Sequence, residues 1–414
     1  MDSPDQGITG IPVDKVILKD NNLSIEIKAI AGIYEGIINQ DYSKIEGDWK
    51  QTGASFPLLL QKVGKAVEIS RPQEPKKPFP YIEQEVNYEN SEAGIVLAGT
   101  LTMPAEEGLF PAVILISGSG PQDRNETVFG HRPFLVLEDY LTRQGIAVLR
   151  VDDRGVGEST GDFSQATSKD FASDVLAGIE YLKSREEVNS RQIGLIGHSE
   201  GGLIAPMVAV QSPDVAFIVL MAGPGLPGED ILYMQNELIS KAAGMSEEKI
   251  DRNRYYNERL YSLIKEEENK GLLIEKATSI FDEYFAELTQ EEKNQIGNRD
   301  EYVDIQLQNM LSLWFKFFLT YDPRPTLSKV SCPVLAINGS KDLQVPPKEN
   351  LEAIEEALIA GGNKNYLIKE LSDLNHIFQT AETGSPDEYA RIEETISPVT
   401  LELIGDWILE QSKS

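Results

Sequence analysis

The stretch IGHSEGGL (Ile196–Leu203) contains the pattern Gly-x-Ser-x-Gly and decides how the rest of the chain is interpreted. The pattern is short enough to arise by chance, so its surroundings must distinguish a nucleophilic Ser199 from an ordinary loop serine. An apolar run, QIGLIG, precedes the serine, and an apolar helical segment, GLIAPMVAV, follows it. A strand, a sharp turn and a helix in this order expose a serine hydroxyl at the edge of a sheet. The context therefore favours a nucleophile.

The glycines around Ser199 have a physical reason in the same context. Gly197 and Gly201 flank the serine, and Gly202 follows directly. A sharp turn that packs a strand closely against the next helix leaves no room for side chains at these positions. We therefore expect Gly197 and Gly201 to lie where the strand and the helix approach each other most closely.

The fold class follows from five apolar runs of one form. Each run is short and ends in glycines or polar residues, and helical segments separate most of them; the runs are AVILISGSG, GIAVLRVDDRGVGES, QIGLIGHSEGG, AFIVLMAGPG and PVLAINGSKD. Apolar strands that alternate with helices are typical of a parallel sheet buried on both faces. The sequence therefore predicts an α/β fold with a mostly parallel central sheet, which EQEVNYEN and GIVLAGTLTMP open as a hairpin.

Changes of composition divide the chain into four parts. Residues 1–70 alternate apolar and polar side chains between turn signals and predict a small antiparallel β-domain. Residues 71–80, RPQEPKKPFP, predict a stiff and exposed linker because of their prolines and charges. The α/β domain is expected over residues 81–226 and 330–414. Between these segments, residues 227–329 carry apolar side chains at helical spacing and predict a helical insertion.

Within the insertion, an aromatic stripe is formed by Trp314, Phe315, Phe317 and Phe318. Two interpretations fit such a stripe. The rings either form a packing face of the insertion or line a substrate pocket, and the sequence leaves both open.

The overall charge excludes one class of partner. The chain has 38 basic and 67 acidic residues and a net charge of −29. A surface this acidic repels phosphate backbones and anionic lipids, so we expect no nucleic-acid partner and attribute the acidity to solubility. No run of 18 apolar residues predicts a membrane span, and the N-terminus has no visible signal peptide. The oligomeric state and the compartment, cytoplasmic or exported with the leader absent, stay open.

Metal and cofactor sites are not indicated. The single Cys332 excludes an internal disulfide framework and precedes an apolar run, which favours a small buried side chain. No HExxH motif or Cys/His cluster predicts a metal site. The glycine loops SGSGPQ and RGVGEST lack the third glycine of the dinucleotide fingerprint, and no GKS or GKT follows a glycine loop. We therefore expect no metal and no cofactor.

A nucleophilic serine needs a base, and the chain has three histidines. His376 lies in LSDLNHIF, after the last predicted strand, on a loop at the edge where the parallel strands end. His198 is inside the sharp turn and should point away from the Ser199 hydroxyl, because successive side chains diverge there. His131 precedes a helix. We therefore predict His376 as the base and structural roles for His198 and His131.

The base in turn needs a carboxylate that orients its ring and stabilises its charged form. Asp342 follows the strand PVLAING directly, within NGSKDLQVPP. Asp373 is the alternative, but it is only three residues before His376 and is expected to shape the loop. The order Ser199, Asp342, His376 is the chain order of the α/β-hydrolase triad.

The tetrahedral intermediate of acyl transfer needs backbone donors for its oxyanion. The N–H of Glu200, directly after the nucleophile, is expected to be one donor. The second is expected from the glycine loop after the first parallel strand, and we predict the N–H of Ser119.

At this point the chain resembles the α/β-hydrolase superfamily and, more narrowly, the bacterial esterase D-like serine hydrolases, close to the serine aminopeptidase-like branch. The resemblance covers nearly the whole chain from about residue 81 and rests on LISGSGPQDRNE, RVDDRGVGES, GHSEGG, NGSKDLQVPP and the LNHIF loop. The N-terminal SPDQGITGIPVDKV and YEGIINQDYSKIEGDWKQ resemble the small β-domain of these enzymes. Similar proteins usually have further strands before SPDQG, so this β-domain is expected to be incomplete.

The resemblance implies hydrolysis of carboxylic esters, with the nucleophile, acid and base on Ser199, Asp342 and His376. It also implies that the helical insertion forms a cap over the active site. One departure is Ser117, where many relatives have histidine before glycine; the backbone donors do not depend on that side chain.

Three functional hypotheses follow. The first is a serine carboxylesterase that hydrolyses short-to-medium acyl esters, with a small-molecule substrate and no cofactor. The second is a peptidase or amidase with the same triad, in which Glu200, Asp282 or Glu283 would hold a substrate ammonium group. The third is a non-catalytic ligand-binding protein, against which the complete triad argues.

Overall fold

The structure is a computed structural model that describes residues 11–28, 32–51, 54–64 and 70–413. The N-terminal strands are β1 (Lys15–Lys19), β2 (Asn22–Ile27), β3 (Gly32–Ile38), β4 (Lys44–Gln51) and β5 (Ala54–Gln61). The following strands are β6 (Tyr81–Asn90), β7 (Ile95–Pro104), β8 (Phe110–Ile116), β9 (Ala147–Val151), β10 (Val188–His198), β11 (Val215–Met221), β12 (Val334–Gly339) and β13 (Tyr366–Leu371).

Helices alternate with the later strands and fill the insertion. Those of the first half are α1 (Pro133–Arg143), α2 (Ser168–Lys183), α3 (Glu200–Ala209), α4 (Gly228–Ala242), α5 (Glu247–Glu266) and α6 (Lys270–Glu287). They are followed by α7 (Gln290–Ile296), α8 (Arg299–Met310), α9 (Leu313–Thr320), α10 (Arg324–Leu327), α11 (Pro347–Ala360), α12 (Pro386–Tyr389) and α13 (Pro398–Gln411).

The larger sheet has eight strands in the order β13-β12-β11-β10-β8-β9-β7-β6. The pairs from β13 to β9 are parallel, whereas β7 pairs antiparallel with both β9 and β6. The predicted parallel sheet and its opening hairpin are confirmed, and the fold is that of an α/β-hydrolase. Since β10 lies between β8 and β11, the chain reaches Ser199 at the centre of the carboxyl edge of the sheet.

Both faces of this sheet are buried by helices. Successive residues of β8 alternate between two apolar clusters, with Val113 in one and Ile114 in the other. The first cluster includes side chains of α1 and α13, such as Leu137 and Trp407. The second includes side chains of α2, α3 and α11, such as Ile179. Strands covered on both sides need apolar residues at consecutive positions, which explains the continuous runs in the sequence.

By contact, the chain forms two compact units. One comprises Arg71–Arg254 and Ser312–Ser414 and contains the larger sheet. The other combines the N-terminal strands with Tyr255–Leu311, and in it the order β1-β2-β3-β4-β5 is antiparallel throughout. The helices predicted as a single insertion are therefore divided between the units, with α4, α9 and α10 in the hydrolase unit. The domain boundaries given above stay a prediction.

In the second unit, the N-terminal sheet has its own buried anchor. Tyr34 of β3 is 1% exposed, and its hydroxyl contacts the carbonyl oxygens of Ile45 and Leu58, each at 3.0 Å. Burial of this large ring and satisfaction of its hydroxyl together stabilise the sheet around β3 and β4.

The Pro-rich segment is more closely attached than its composition suggests. Arg71 donates to the carbonyl oxygens of Gly130, Ala390 and Ile392 at 3.1, 2.8 and 2.8 Å. Gln73 donates to a further carbonyl of the same loop region, that of Ile396, at 2.6 Å. The expectation of an exposed linker is therefore wrong at its start, because these two side chains bind backbone groups of the hydrolase unit.

In the described ranges, no helix combines the length and the apolar character that a membrane span requires.

The turn after β10 depends on backbone contact between strand and helix, as expected. A Cβ atom on Gly197 would lie 2.0 Å from the carbonyl oxygen of Gly201. A Cβ atom on Gly201 would lie 2.1 Å from the carbonyl oxygen of Ile116 in β8. Backbone atoms of the central strands cannot retreat from such contacts, so glycine is the one residue that fits both positions.

We expect Gly201→Ala to lower the free energy of unfolding by about 3 kcal/mol, because the new methyl group overpacks the centre of the sheet. Urea unfolding followed by tryptophan fluorescence measures this change. Gly108→Ala is the control, since its Cβ would lie 3.5 Å from the nearest ring atoms of Phe110. The control should change stability by less than about 0.5 kcal/mol. Equal stability of the two variants would contradict the packing argument.

Candidate active site

Ser199 adopts a backbone conformation that side chains rarely tolerate. It follows β10 and precedes α3, with φ 51° and ψ −116°. Its N–H donates to the carbonyl of Met221 at 2.8 Å, and its carbonyl accepts from the N–H of Gly202 at 2.9 Å. Such a conformation costs roughly 1–3 kcal/mol and persists where the surroundings impose it, often at functional sites. This is the geometry of a nucleophile elbow.

Asp342 and His376 are in direct contact. The Oδ2 atom of Asp342 lies 2.8 Å from Nδ1 of His376. The other carboxylate oxygen accepts the backbone N–H groups of Gln344 and Val345 at 2.7 and 2.9 Å. Asp342 follows β12, and His376 lies in the loop after β13. A carboxylate fixed in this way holds the imidazole with its proton on Nδ1, so that Nε2 is free to accept one.

Asp373, the alternative acid, has a different role. Its carboxylate pairs with Lys341 at 2.9 Å and is largely exposed, and its backbone has a φ of 61°. Its N–H also binds the hydroxyl of Ser340 at 2.8 Å. The residue therefore shapes the loop that carries His376.

One cavity collects the predicted site residues. Ser199, His376, Ser119 and Glu200 all line it, and its volume is about 270 Å³. Glu126 and His198 also line it. The other walls are apolar or aromatic side chains, neutral amides and a few backbone segments; they include Val128, Phe129, Ile231, Leu232, Trp314, Phe318, Ile377, Gln122, Gln235 and Gln344. The structure therefore brings together all residues to which the sequence assigns a catalytic role, and those roles stay a prediction.

The glycine loop after β8 passes directly beside the serine. A Cβ atom on Gly118 would lie 3.3 Å from Cβ of Ser199. The N–H of Gly118 already donates to Oε1 of Glu126 at 2.7 Å and is therefore engaged. This leaves the N–H of Ser119 as the donor of the loop that we expect to face an oxyanion, together with the N–H of Glu200.

The carboxylate of Glu200 is occupied by protein donors. It is 2% exposed, and its Oε1 accepts the hydroxyl of Ser168 at 2.5 Å and the indole N–H of Trp314 at 2.8 Å. Burial raises the pKa of Glu200, while its hydrogen bonds with Ser168, Trp314 and Ser119 act in the opposite direction. The side chain thus links the starts of α2, α3 and α9 around the cavity.

The two other acidic candidates for binding an ammonium group are also engaged. In the second unit, Glu283 pairs with Arg259 at 2.6 Å, and Asp282 pairs with Arg299. Both pairs satisfy the carboxylates within the protein itself.

The aromatic stripe serves both of the purposes that the sequence left open. Trp314 and Phe318 stack with ring centroids 5.2 Å apart, and both line the cavity. Phe317 instead packs against the larger apolar cluster of the sheet and stacks on Tyr321 at 5.1 Å. One edge of α9 therefore forms a pocket wall while the adjacent edge is a packing face.

His131 is a structural residue. Its ring nitrogens lie 3.0 Å from the hydroxyl of Thr395 and 3.0 Å from the carbonyl oxygen of Tyr389. Burial, together with the charge of Arg71, lowers the pKa of His131 to about 4. The ring is therefore neutral at physiological pH.

Two carboxylates near the site were not identified from the sequence. Asp153 accepts hydrogen bonds from the hydroxyl of Ser117 and the N–H of Gln122, both at 2.9 Å, and thereby fixes the glycine loop. Glu126 binds the N–H of Gly118. Asp153 could have been found, because it follows β9 at the same edge of the sheet. Glu126 lies in an irregular loop with no periodicity, and one sequence carries no signal for it.

Desolvation has a large effect on the pKa of Asp153. Burial and, to a smaller extent, the charges of Glu200 and Glu126 raise its pKa, the hydrogen bonds from Gln122 and Ser117 lower it, and the net result is a pKa of about 7. A carboxyl group beside the predicted oxyanion loop therefore changes its charge near neutral pH.

The chain is similar to known proteins over most of its length. A family model described as X-Pro dipeptidyl-peptidase (S15 family) matches residues 66–358. The chain is 26% identical over 375 residues to esterase EstD of Thermotoga maritima, covering 88% of this chain and 79% of that protein.

Two solved structures were also found to be similar. An esterase of Pyrococcus furiosus matches with a TM-score of 0.48 and 17% identity, over 83% of this chain and 97% of that chain. Est1E of Butyrivibrio proteoclasticus with bound ferulic acid matches with a TM-score of 0.46 and 19% identity, over 80% of this chain and all of that chain.

We expect Asp153 to make stability depend on pH. Because its folded pKa of about 7 lies above the roughly 3.9 of a free aspartate, the stabilisation is present at low pH and is lost as pH rises between these values. The free energy of unfolding of the wild type should fall relative to that of Asp153→Asn by up to about 1.4 kcal/mol per pH unit. Urea unfolding between pH 5 and 8 measures the difference.

The control for this experiment is Asp406→Asn, which removes an exposed carboxylate from α13. Its pH dependence should follow that of the wild type. Parallel curves for the wild type and Asp153→Asn would show that Asp153 is charged throughout the range.

Proposed function

We propose that this chain, which belongs to the X-Pro dipeptidyl-peptidase (S15) family, is a serine carboxylesterase that hydrolyses short-to-medium acyl esters. The observation that carries the proposal is the strained Ser199 in a cavity shared with His376, whose ring is held by Asp342 at 2.8 Å. Hydrolysis as the reaction class agrees with the α/β-hydrolase fold and with the similarity to EstD.

In the proposed mechanism, Nε2 of His376 accepts the hydroxyl proton of Ser199 while the serine oxygen attacks the ester carbonyl. The resulting oxyanion binds the N–H groups of Ser119 and Glu200. His376 then gives its proton to the leaving alcohol, and the carbon–oxygen bond to that alcohol breaks. Water, activated by the same histidine, attacks the acyl-enzyme and releases the acid. Asp342 stays ionised and stabilises the imidazolium that forms in both steps.

The cavity walls support an uncharged substrate. Apart from the catalytic residues and the mutually bound pair Glu126 and His198, the side chains that face it are apolar, aromatic or neutral amides, such as Phe129, Trp314 and Gln235. Glu200 is engaged by Ser168 and Trp314 and Glu126 by Gly118, so neither is available to pair with a cation. A volume of about 270 Å³ suits a short-to-medium acyl or aryl group.

A peptidase or amidase is the second candidate, because the description of the matching family names dipeptidyl-peptidases. An exopeptidase of that kind binds a free substrate ammonium group. The engagement of Glu200 by two protein donors supports the esterase over this candidate.

We expect Ser199→Ala and His376→Ala each to lower kcat for a nitrophenyl ester by on the order of 10⁶-fold, and Asp342→Ala by somewhat less. Fluorophosphonate should label the wild type at one site and should not label Ser199→Ala. The matched control is Ser190→Ala, an exposed serine on β10, which should keep wild-type kcat and labelling. Ester turnover near the wild-type rate by Ser199→Ala would disprove the proposal.

The two candidates are separated by substrate choice. We expect kcat/KM for a series of nitrophenyl esters to exceed that for the corresponding aminoacyl anilides, because the cavity lacks a free carboxylate for the ammonium group. Varying the acyl chain within the ester series locates the preferred length. A clear preference for anilides would favour the peptidase.

A further inference from the structure

A buried bridge joins the glycine loop to the loop of the predicted base. Oε1 of Glu126 accepts the N–H of Gly118 at 2.7 Å and lies 2.8 Å from Nδ1 of His198. On the other side of the ring, Nε2 of His198 lies 2.9 Å from the backbone carbonyl oxygen of His376. Glu126 is 3% and His198 6% exposed, so solvent does not replace these contacts.

The partners of the ring determine how many protons the bridge holds. A carbonyl oxygen only accepts, so Nε2 of His198 must carry hydrogen to bind the carbonyl of His376. Between Nδ1 and Oε1 of Glu126, a second proton is required, because two lone pairs at 2.8 Å would repel each other. The bridge is therefore complete when His198 is doubly protonated beside an ionised Glu126, or when Glu126 itself holds that proton.

We propose that Glu126 and His198 are positioning residues that fix the glycine loop after β8 relative to the loop that carries His376, and that loss of their shared proton sets an alkaline limit on catalysis. This inference rests on the proposed function of Ser199, His376 and Ser119. On one side of the shared proton, Glu126 binds the N–H of Gly118, the residue before the predicted donor Ser119. On the other side, the ring of His198 binds the backbone carbonyl of His376, the predicted base. Removal of the proton breaks the contact between Glu126 and His198 and thereby loosens both loops.

The charged groups around His198 favour the protonated bridge. Burial alone lowers the pKa of His198, but the charge and hydrogen bond of Glu126 outweigh it, and the carbonyl of His376 and the charge of Asp342 act in the same direction, so that the pKa is raised. The ring of His376 lies beside that of His198, with centroids 4.9 Å apart. Asp153 is a further acidic group nearby, and its charge interacts with those of Glu126 and Glu200.

The sign of the pH effect follows from the raised pKa. Because the folded state binds the proton more tightly than the unfolded state, the bridge contributes fully at low pH and is lost as pH rises through the folded pKa of His198. We therefore expect an alkaline limb on which kcat falls as pH rises, and this limb belongs to the bridge.

The proton itself is measured in the full-length wild type by NMR of histidine ring nitrogens. The chain has three histidines, so the signals of His198 are those that persist in both His131→Gln and His376→Gln. We expect both ring nitrogens of His198 to carry hydrogen at neutral pH and to lose one at alkaline pH, together with the fall in kcat. A His198 ring that is neutral at pH 7 beside an ionised Glu126 would overturn the proposal. This readout does not depend on turnover and so stays separate from a failure of the Ser199 assignment.

Two conservative variants test the link to catalysis through their pH profiles. In Glu126→Gln, the amide still accepts from Gly118 but offers no negative charge, so the alkaline limb of kcat should move to lower pH by about 1–3 units. In His198→Gln, the amide can donate to the carbonyl of His376 but does not titrate, so the limb should disappear and kcat at neutral pH should fall by up to about 10²-fold.

The matched control is Glu92→Gln, an exposed carboxylate in the turn between β6 and β7, whose profile should equal that of the wild type. A role of the pair in packing alone would lower kcat at all pH values and leave the limb in place. Unshifted limbs in both Gln variants would therefore overturn the proposal. If either variant does not fold, the NMR titration of the wild type decides the question.

Discussion

The close approach of backbone at the turn after β10 is the constraint on which the rest of the site depends. Gly197 and Gly201 permit β10, β8 and α3 to meet at distances that any side chain would prevent. This contact forces Ser199 into a left-handed conformation, and the energy of the packed sheet sustains the strain. The serine hydroxyl is consequently fixed by the most stable part of the molecule, and neighbouring loops must be arranged around it.

Those loops are arranged largely by carboxylates. Asp342 holds the ring of His376, Asp153 and Glu126 hold the glycine loop, and Glu200 joins α2 and α9. Each carboxylate accepts at least two hydrogen bonds, which is how a buried charge becomes tolerable. Under the proposed mechanism, a site that stabilises an oxyanion is thus surrounded by groups that repel negative charge unless they are paired or protonated. Pairing and proton uptake would then serve the proposed chemistry as well as the fold.

The sequence predicted the parts of the site that follow from strand order. Parallel strands end at one edge, so residues directly after them, such as Ser199 and Asp342, are expected to converge. In the structure Asp342 contacts His376, and Ser199 lines the same cavity as His376. Side-chain partners far apart in sequence were beyond such reasoning. Trp314 lies 114 residues from Glu200, and no local pattern connects them. The prediction of an exposed linker was also wrong at Arg71, because a charged side chain in a Pro-rich segment gives no sign that it will bind carbonyl groups of the hydrolase unit.

The contacts of Arg71 have a consequence for the order in which the protein folds. Its guanidinium binds the carbonyl of Gly130, next to Phe129 of the cavity wall. It also binds the carbonyl of Ile392, which lies 321 positions from Arg71 along the chain. Contacts of such separation form late, because the intervening chain must first lose its freedom. During synthesis, the strands around Ser199 emerge well before the segment that Arg71 needs. The turn that carries Ser199 is therefore built into the sheet first, and the wall around Phe129 is completed only after Ala390 and Ile392 have been synthesised.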